Sequence, residues 1–381
     1  MVADPKRSDK RNDKPYVIMA LQGGGALGAF QAGAYKALSE KGFEPDWVAG
    51  ISIGAINASI IAGNPQQRRL PRLMEFWKVV AGSFDWWDYF PNYSEKLTDL
   101  WKVWLSMAGG VPGFFRPNYV PPPFAPPGSA EACCLYDALK LKTTLQRLID
   151  FNFLNNYAAA EHVRLSLGAT RVFGGIQKTF ENFGGPNPSD PDCQYACITP
   201  DHIMASGAMA PWFPGVVIDH QLYWDGGISS NSSFRHVIKH LPGIGKVFGT
   251  KPVVIFLIDL WGAFDREPKT FDEVCWRIKQ IQYSSRIEQD IHYAKHFIYR
   301  HRGARDTSRI DIIRVSYRNH PNEIPCGDAL FSRTEIERRI QDGYGAMSYR
   351  LESDPPLWEL KTDLRPDNQP EANAGVVIHL F

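Results

Sequence analysis

The first sixty residues constrain the fold more tightly than any other part of the chain. An apolar run, Val17–Gln22, ends in Gly23-Gly24-Gly25. Apolar residues then recur at Leu27, Phe30, Ala34, Ala37 and Leu38, a near-helical spacing that stops at Gly42. A second apolar run, Trp47–Ile51, leads through Ser52 into the helical stretch Ile53–Ala62, which ends at Gly63-Asn64-Pro65. Parallel neighbouring strands need a crossover of a dozen or more residues, and the first helix supplies one. The expected fold class is therefore α/β, with a parallel-rich central sheet flanked by helices.

The remainder of the chain continues this alternation. Val163–Ala169, Val253–Ile258 and Ile310–Val315 read as strands. Leu135–Phe151 and Phe271–His301 have helical periodicity, and the capping-box sequence Ser332-Arg333-Thr334-Glu335 opens a helix reaching Leu351. Gly184–Asp192 is a polar loop. From Phe76 to Phe124, fourteen of 49 residues are aromatic, and the stretch closes on the proline-rich segment Val120–Gly128. Its composition argues against core-forming secondary structure.

Basic and acidic residues number 42 and 41, so there is no electrostatic case for a nucleic-acid partner. No stretch approaches the ~18 apolar residues of a membrane span. The polar start, residues 1–14, lacks the apolar core of a secretory signal, and a cytoplasmic location is expected. The six cysteines are then read as reduced thiols. Cys193 and Cys197 have C-x3-C spacing, but no histidine or cysteine pair nearby in sequence completes a zinc set, so no metal is expected.

Gly23, Gly25 and Gly28 satisfy G-x-G-x-x-G between a strand and a helix, the setting of a dinucleotide fingerprint. The ribose-binding acid would have to be Asp46. Asp46, however, stands at the start of the second strand, whereas ligands bind at the carboxyl ends of such strands. What stands at that carboxyl end is Ser52, within Gly50-Ile51-Ser52-Ile53-Gly54. G-x-S-x-G between a strand and a helix describes a nucleophile elbow, in which Gly50 and Gly54 permit the sharp turn. A serine that merely caps the helix would account for Ser52 but not for both glycines. The amides of Gly23, Gly24 and Gly25, at the end of the adjacent strand, could serve as an oxyanion hole.

The base is less clearly marked. Ten histidines are present, but none sits in an obvious motif. Asp225, released from a short strand into Gly226-Gly227, has room to meet Ser52 directly, although turn aspartates are common. A Ser-His-Asp triad and a direct Ser-Asp pair both remain open on these residues.

The ordered motifs GGGALG, GISIG and DGG, with Ala205–Pro214 (ASGAMAPWFP) just upstream of the last, resemble the patatin-like phospholipases over about residues 15–235. The resemblance implies a Ser-Asp dyad without histidine, with Ser52 as nucleophile and Asp225 as its base. Gly24 and Gly25 become the leading oxyanion donors, with Gly23 beside them. Many members carry Arg or Lys where Leu27 stands, so any help from that cation is missing. Residues after about 250 resemble the C-terminal extension of one bacterial branch.

The resulting expectation is a disordered tail (1–14), a patatin-like catalytic domain (15–245) with an aromatic insert (76–128), and an extension (246–381) whose strands could join the same sheet. The function implied is hydrolysis of lipid acyl esters through an acyl-enzyme on Ser52, with no cofactor. The alternatives are an acyltransferase using the same intermediate and a non-catalytic lipid- or protein-binding module. Within the insert, Trp86 and Trp87 are the expected substrate-contacting residues, part of a cover that touches the membrane interface. Rings that only pack the insert onto the domain are the alternative. Oligomeric state, head group and chain length are not legible.

Overall fold

The computed structural model describes residues 14–82, 95–184, 190–248, 252–262, 267–301, 310–318, 320, 323–352 and 376–379. Its strands are β1 (Tyr16–Leu21), β2 (Trp47–Ile51), β3 (Arg116–Pro117), β4 (Tyr136–Asp137), β5 (Arg164–Arg171), β6 (Ile176–Glu181), β7 (Cys193–Tyr195), β8 (Val216–Ile218), β9 (Gln221–Asp225), β10 (Val253–Asp259), β11 (Ile310–Ser316) and β12 (Val376–His379). The helices are α1 (Ala29–Glu40), α2 (Ile53–Ala62), α3 (Gln66–Val80), α4 (Glu95–Gly109), α5 (Ala130–Cys133), α6 (Leu139–Leu148), α7 (Phe151–Leu154), α8 (Pro200–Ser206), α9 (Phe234–Phe248), α10 (Phe271–His301) and α11 (Arg333–Leu351).

One sheet runs β12–β11–β10–β1–β2–β5–β6–β7, with β9 paired to β5 and β8 to β9. From β12 to β5 every pairing is parallel. All six residues of β1 are buried, as befits a strand covered on both faces. Its side chains alternate between two cores. Val17, Met19 and Leu21 point toward α1, α2 and α3, and Ile18 and Ala20 point toward Phe234, Val237 and Ile238 of α9 and Ile287 and Ile291 of α10. Each buried Val, Leu, Ile or Met side chain contributes about 1.5–3 kcal/mol.

The C-terminal third contributes β10, β11 and β12 to the same sheet. β10 lies beside β1 in register from Tyr16↔Val253 to Leu21↔Ile258, so the sequence-distant strand occupies the middle of the sheet. Helix α11 packs along α1, and its Tyr344 hydroxyl donates to Glu40 at 2.8 Å. Only half of the expected capping box forms. The Glu335 N–H donates to Ser332 Oγ, while the Glu335 carboxylate pairs with Arg338 and Arg339.

The aromatic stretch differs from its sequence reading. Phe76 and Trp77 belong to α3 and are fully buried in the core. Phe114 and Phe115 pack against Tyr136, Phe213 and Phe331. Residues 95–109 form a four-turn helix, α4, rather than irregular chain. No proline lies between Pro91 and Pro112, and Leu97, Leu100, Trp101 and Trp104 recur at helical spacing, a period that the aromatic density of the segment masked. Trp86 and Trp87 lie outside the described residues.

Candidate active site

Ser52 joins β2 to α2 at φ 56° and ψ −126°, a left-handed conformation that an L side chain adopts at a cost of about 1–3 kcal/mol. The turn is held tight by its two glycines. A Cβ on Gly50 would lie 2.3 Å from the Gly54 carbonyl oxygen, and one on Gly54 would lie 2.5 Å from that of Leu21. The first turn of α2 therefore sits directly against the end of β1. The Ser52 N–H donates to Ser206 Oγ at 3.0 Å, and Ser206 Oγ donates to the Gly168 carbonyl at 2.6 Å. Ser206, fully buried at the end of α8, anchors the turn to β5. Sequence reasoning quoted its segment but assigned it no task.

Sheet register brings Asp225 to Ser52. Ile51 of β2 pairs with Gly168 of β5, and Ala169 of β5 pairs with Asp225 of β9. The chain then turns sharply over β5 at Gly226, where a Cβ would lie 2.4 Å from the Gly168 carbonyl oxygen. Asp225 is completely buried. Its Oδ1 accepts the Gly227 N–H at 2.6 Å, whereas Oδ2 has no partner of ordinary hydrogen-bond geometry. Burial pushes the carboxyl up to about 7, opposed by the nearby Ser52 hydroxyl and the Gly227 amide. A carboxyl of that affinity can exchange a proton with a hydroxyl near neutral pH.

The glycine triplet is pinned beside this pair. The Gly23 carbonyl accepts from Asn231 Nδ2 at 3.0 Å and from Trp261 Nε1 at 2.8 Å. Because the peptide is planar and trans, the Gly24 N–H is turned to the opposite side from those donors. A Cβ on Gly23 would lie 2.9 Å from Ser52 Cβ, so the loop and the serine are in close contact. Gly24 backs onto Leu260 and Trp261, and Gly25 onto the Asp328 carbonyl. Trp261 is itself held by Asp259, whose Oδ1 accepts the Trp261 N–H at 3.0 Å and whose Oδ2 accepts from buried Arg314 at 2.6 Å. Leu27 is fully buried, so no exposed cation stands at its position.

Histidines take other partners. His202 pairs with Thr199 at the start of α8, His162 with Asn182, and His236 with Glu181. Asp46, at the other end of the sheet, accepts the Val17 N–H at 2.8 Å. Asn231 and Trp261 were missed from sequence. Asn231 stands four residues after the DGG motif, whereas Trp261 carries no local signal at all. The expectation that no histidines stand near the C-x3-C pair does not hold in space, because the fold gathers Cys193 with His236 and His240, more than forty residues downstream, with donor atoms within 4.8 Å of one another.

Known proteins resemble this chain to differing extents. A patatin-like phospholipase domain-containing protein of Caenorhabditis elegans is 48% identical over 54 residues, 14% of this chain and 5% of that protein. The Bacillus subtilis protein YqhO is 43% identical over 60 residues, 16% of this chain and 21% of that one. Among solved structures, VipD from Legionella pneumophila matches 88% of this chain and 66% of its own at 14% identity and a TM-score of 0.39. The type III effector ExoU matches 88% and 53% at 13% identity and a TM-score of 0.32. This chain thus spans less than two thirds of each of these relatives. A family model described as a patatin phospholipase domain of unknown function also matches residues 298–363. The family model for patatin-like phospholipases matches residues 19–238, the span that holds the glycine triplet, Ser52 and Asp225, and the chain therefore belongs to the patatin-like phospholipase family.

Proposed function

We propose that the protein hydrolyses acyl esters of lipids through an acyl-enzyme on Ser52, with Asp225 as the base. The observation that carries this reading is the fully buried Asp225 carboxyl, one oxygen unpartnered, set by sheet register beside a serine in a strained strand-to-helix turn. Asp225 accepts the Ser52 proton as Oγ attacks the ester carbonyl. The tetrahedral intermediate then expels the alcohol, which takes a proton, and water releases the acyl group. The amides of Gly24 and Gly25, with Gly23 beside them, meet the developing oxyanion. No step calls for a metal or an organic cofactor.

Labelling of Ser52 by a fluorophosphonate in the folded protein tests the reading. Only ionised Asp225 can accept the proton, so the rate should rise about tenfold per pH unit below 7 and level off above it. Absence of labelling would leave a non-catalytic lipid- or protein-binding module. Transfer of the acyl group to an added alcohol in preference to water would make the protein an acyltransferase.

The proposed substrate surface is a membrane. Leu97, Leu100, Trp101 and Trp104 form an exposed stripe on α4, whose opposite face packs Val103 against Ile324 and Leu330. Phe271, Val274, Ile278 and Ile281 form a second exposed stripe on α10, and Lys96 and Asp272 join the two helices. The inner face of α10 carries Trp276, which stacks on Trp261 behind the glycine loop. No helix among the described residues is long and apolar enough to cross a membrane, so contact would be peripheral. The double variant Trp101→Ala/Trp104→Ala should lose about tenfold or more in vesicle partition and vesicle-lipid hydrolysis. Soluble p-nitrophenyl ester turnover should stay within about twofold. Equal loss on both substrates with a lowered melting temperature would mean that the rings are scaffold.

A further inference from the structure

We propose that Cys193, His236, His240 and Asp190 form a binding site for a divalent zinc-type cation that ties helix α9 to the free edge of the sheet. Cys193 lies on edge strand β7, while His236 and His240 stand one turn apart on the same face of α9, their rings 4.2 Å apart. A donor atom of each of the three lies within 4.8 Å of the other two. Tetrahedral zinc, with bonds of about 2.0–2.3 Å, holds its donors about 3.3–3.8 Å apart. Closing the trio therefore takes side-chain movements of about 1 Å at most.

The hydrogen bonds around the imidazoles leave them in ligating form. His240 Nδ1 meets the His236 carbonyl at 2.9 Å. A carbonyl only accepts, so Nδ1 carries the proton and Nε2 the lone pair. His236 Nε2 meets Glu181 Oε1 at 2.7 Å, which puts a proton on Nε2 and makes Nδ1 the nitrogen that could turn to a cation. Glu181 accepts from Arg164, Ser166 and His236 and also lies beside the Cys193 thiol, so it is assigned to orienting the site rather than to ligation. A carboxylate holding the outer N–H of a histidine is the usual support of a ligating imidazole.

Asp190 supplies the fourth donor. Its Oδ2 stands 3.6 Å from His240 Nε2. A cation between them would be held by both groups. A cavity of about 230 Å³ is lined by two members of the cluster, Asp190 and His236, together with Asp192 and Lys239. The donor set of one thiolate, two imidazoles and one carboxylate suits zinc or cobalt(II) rather than calcium or magnesium. Helix α9 begins just after the Asp225–Ser233 turn, so the cation would fix the helix that follows that turn without touching Ser52.

Titration of the full-length chain with Co²⁺ tests this without reference to activity. Expected are an intense sulfur-to-cobalt charge-transfer band and tetrahedral visible bands that saturate at one ion per chain and are abolished by competing Zn²⁺. Cys193→Ser should remove the charge-transfer band and weaken Zn²⁺ binding by about 100-fold or more. Cys197→Ser, at the exposed partner of the C-x3-C pair, should change neither. Absence of the band in the wild-type chain would overturn the proposal, and so would its persistence in Cys193→Ser. Because the wild-type titration decides by itself, a variant that fails to fold does not shield the idea.

Discussion

Ser52→Ala is expected to lower turnover of acyl esters by about 10⁶-fold while leaving the melting temperature nearly unchanged, as for loss of a serine nucleophile elsewhere. The substitution keeps the Cβ, the positive φ and the N–H bond to Ser206 Oγ, so it removes the hydroxyl alone. Ser52→Gly separates chemistry from strain. It should be equally inactive yet more stable by about 1 kcal/mol, because glycine adopts this conformation freely. Retention of more than about a hundredth of wild-type turnover by Ser52→Ala would rule out covalent catalysis at this position.

Asp225→Asn should lower turnover by about 10⁴-fold and, unusually for an inactivating core substitution, raise stability at alkaline pH. An amide cannot take up the Ser52 proton, but its oxygen can still accept the Gly227 N–H. Moving a carboxyl from its ordinary 3.8 to about 7 is worth about 4 kcal/mol between the neutral and ionised forms. Folding favours the protonated carboxyl, so its stabilising contribution is fully present below about pH 4 and is lost as pH rises through 7. The variant should therefore unfold at higher denaturant concentration than wild type at pH 8, and the two should converge toward pH 4. A variant less stable than wild type at pH 8 would mean that the carboxylate is compensated by contacts other than those described. A histidine substitution that abolishes turnover in folded protein would reinstate a triad.

Much of the site was legible because its signals are local. Gly50 is demanded by a backbone contact within one strand-turn-helix, whereas Gly54 is demanded by the end of β1 and Gly226 by β5, yet each lies in a motif that a window of five to ten residues carries. Whether Asp225 lies beside the serine was open from residues alone, since turn aspartates are common and neither burial nor sheet register is legible locally. Helix α4 was misread because aromatic density drew attention from its period.

By itself the sequence determined the strand–helix alternation and the family, and it singled out Ser52 and Asp225 as candidates, because each of these rests on motifs of residues adjacent in the chain. Only the tertiary structure decided what surrounds them. It set β10 against β1, which brought Trp261 from 238 residues away to the Gly23 carbonyl. It drew Asn231 and Ser206 to the glycine loop and the serine turn, and Cys193 to His236 and His240. It also buried Asp225, and hence raised its proton affinity. Contacts of this kind depend on sheet order and on which face a side chain takes, and no local stretch of sequence encodes the partner that a strand will meet across the sheet.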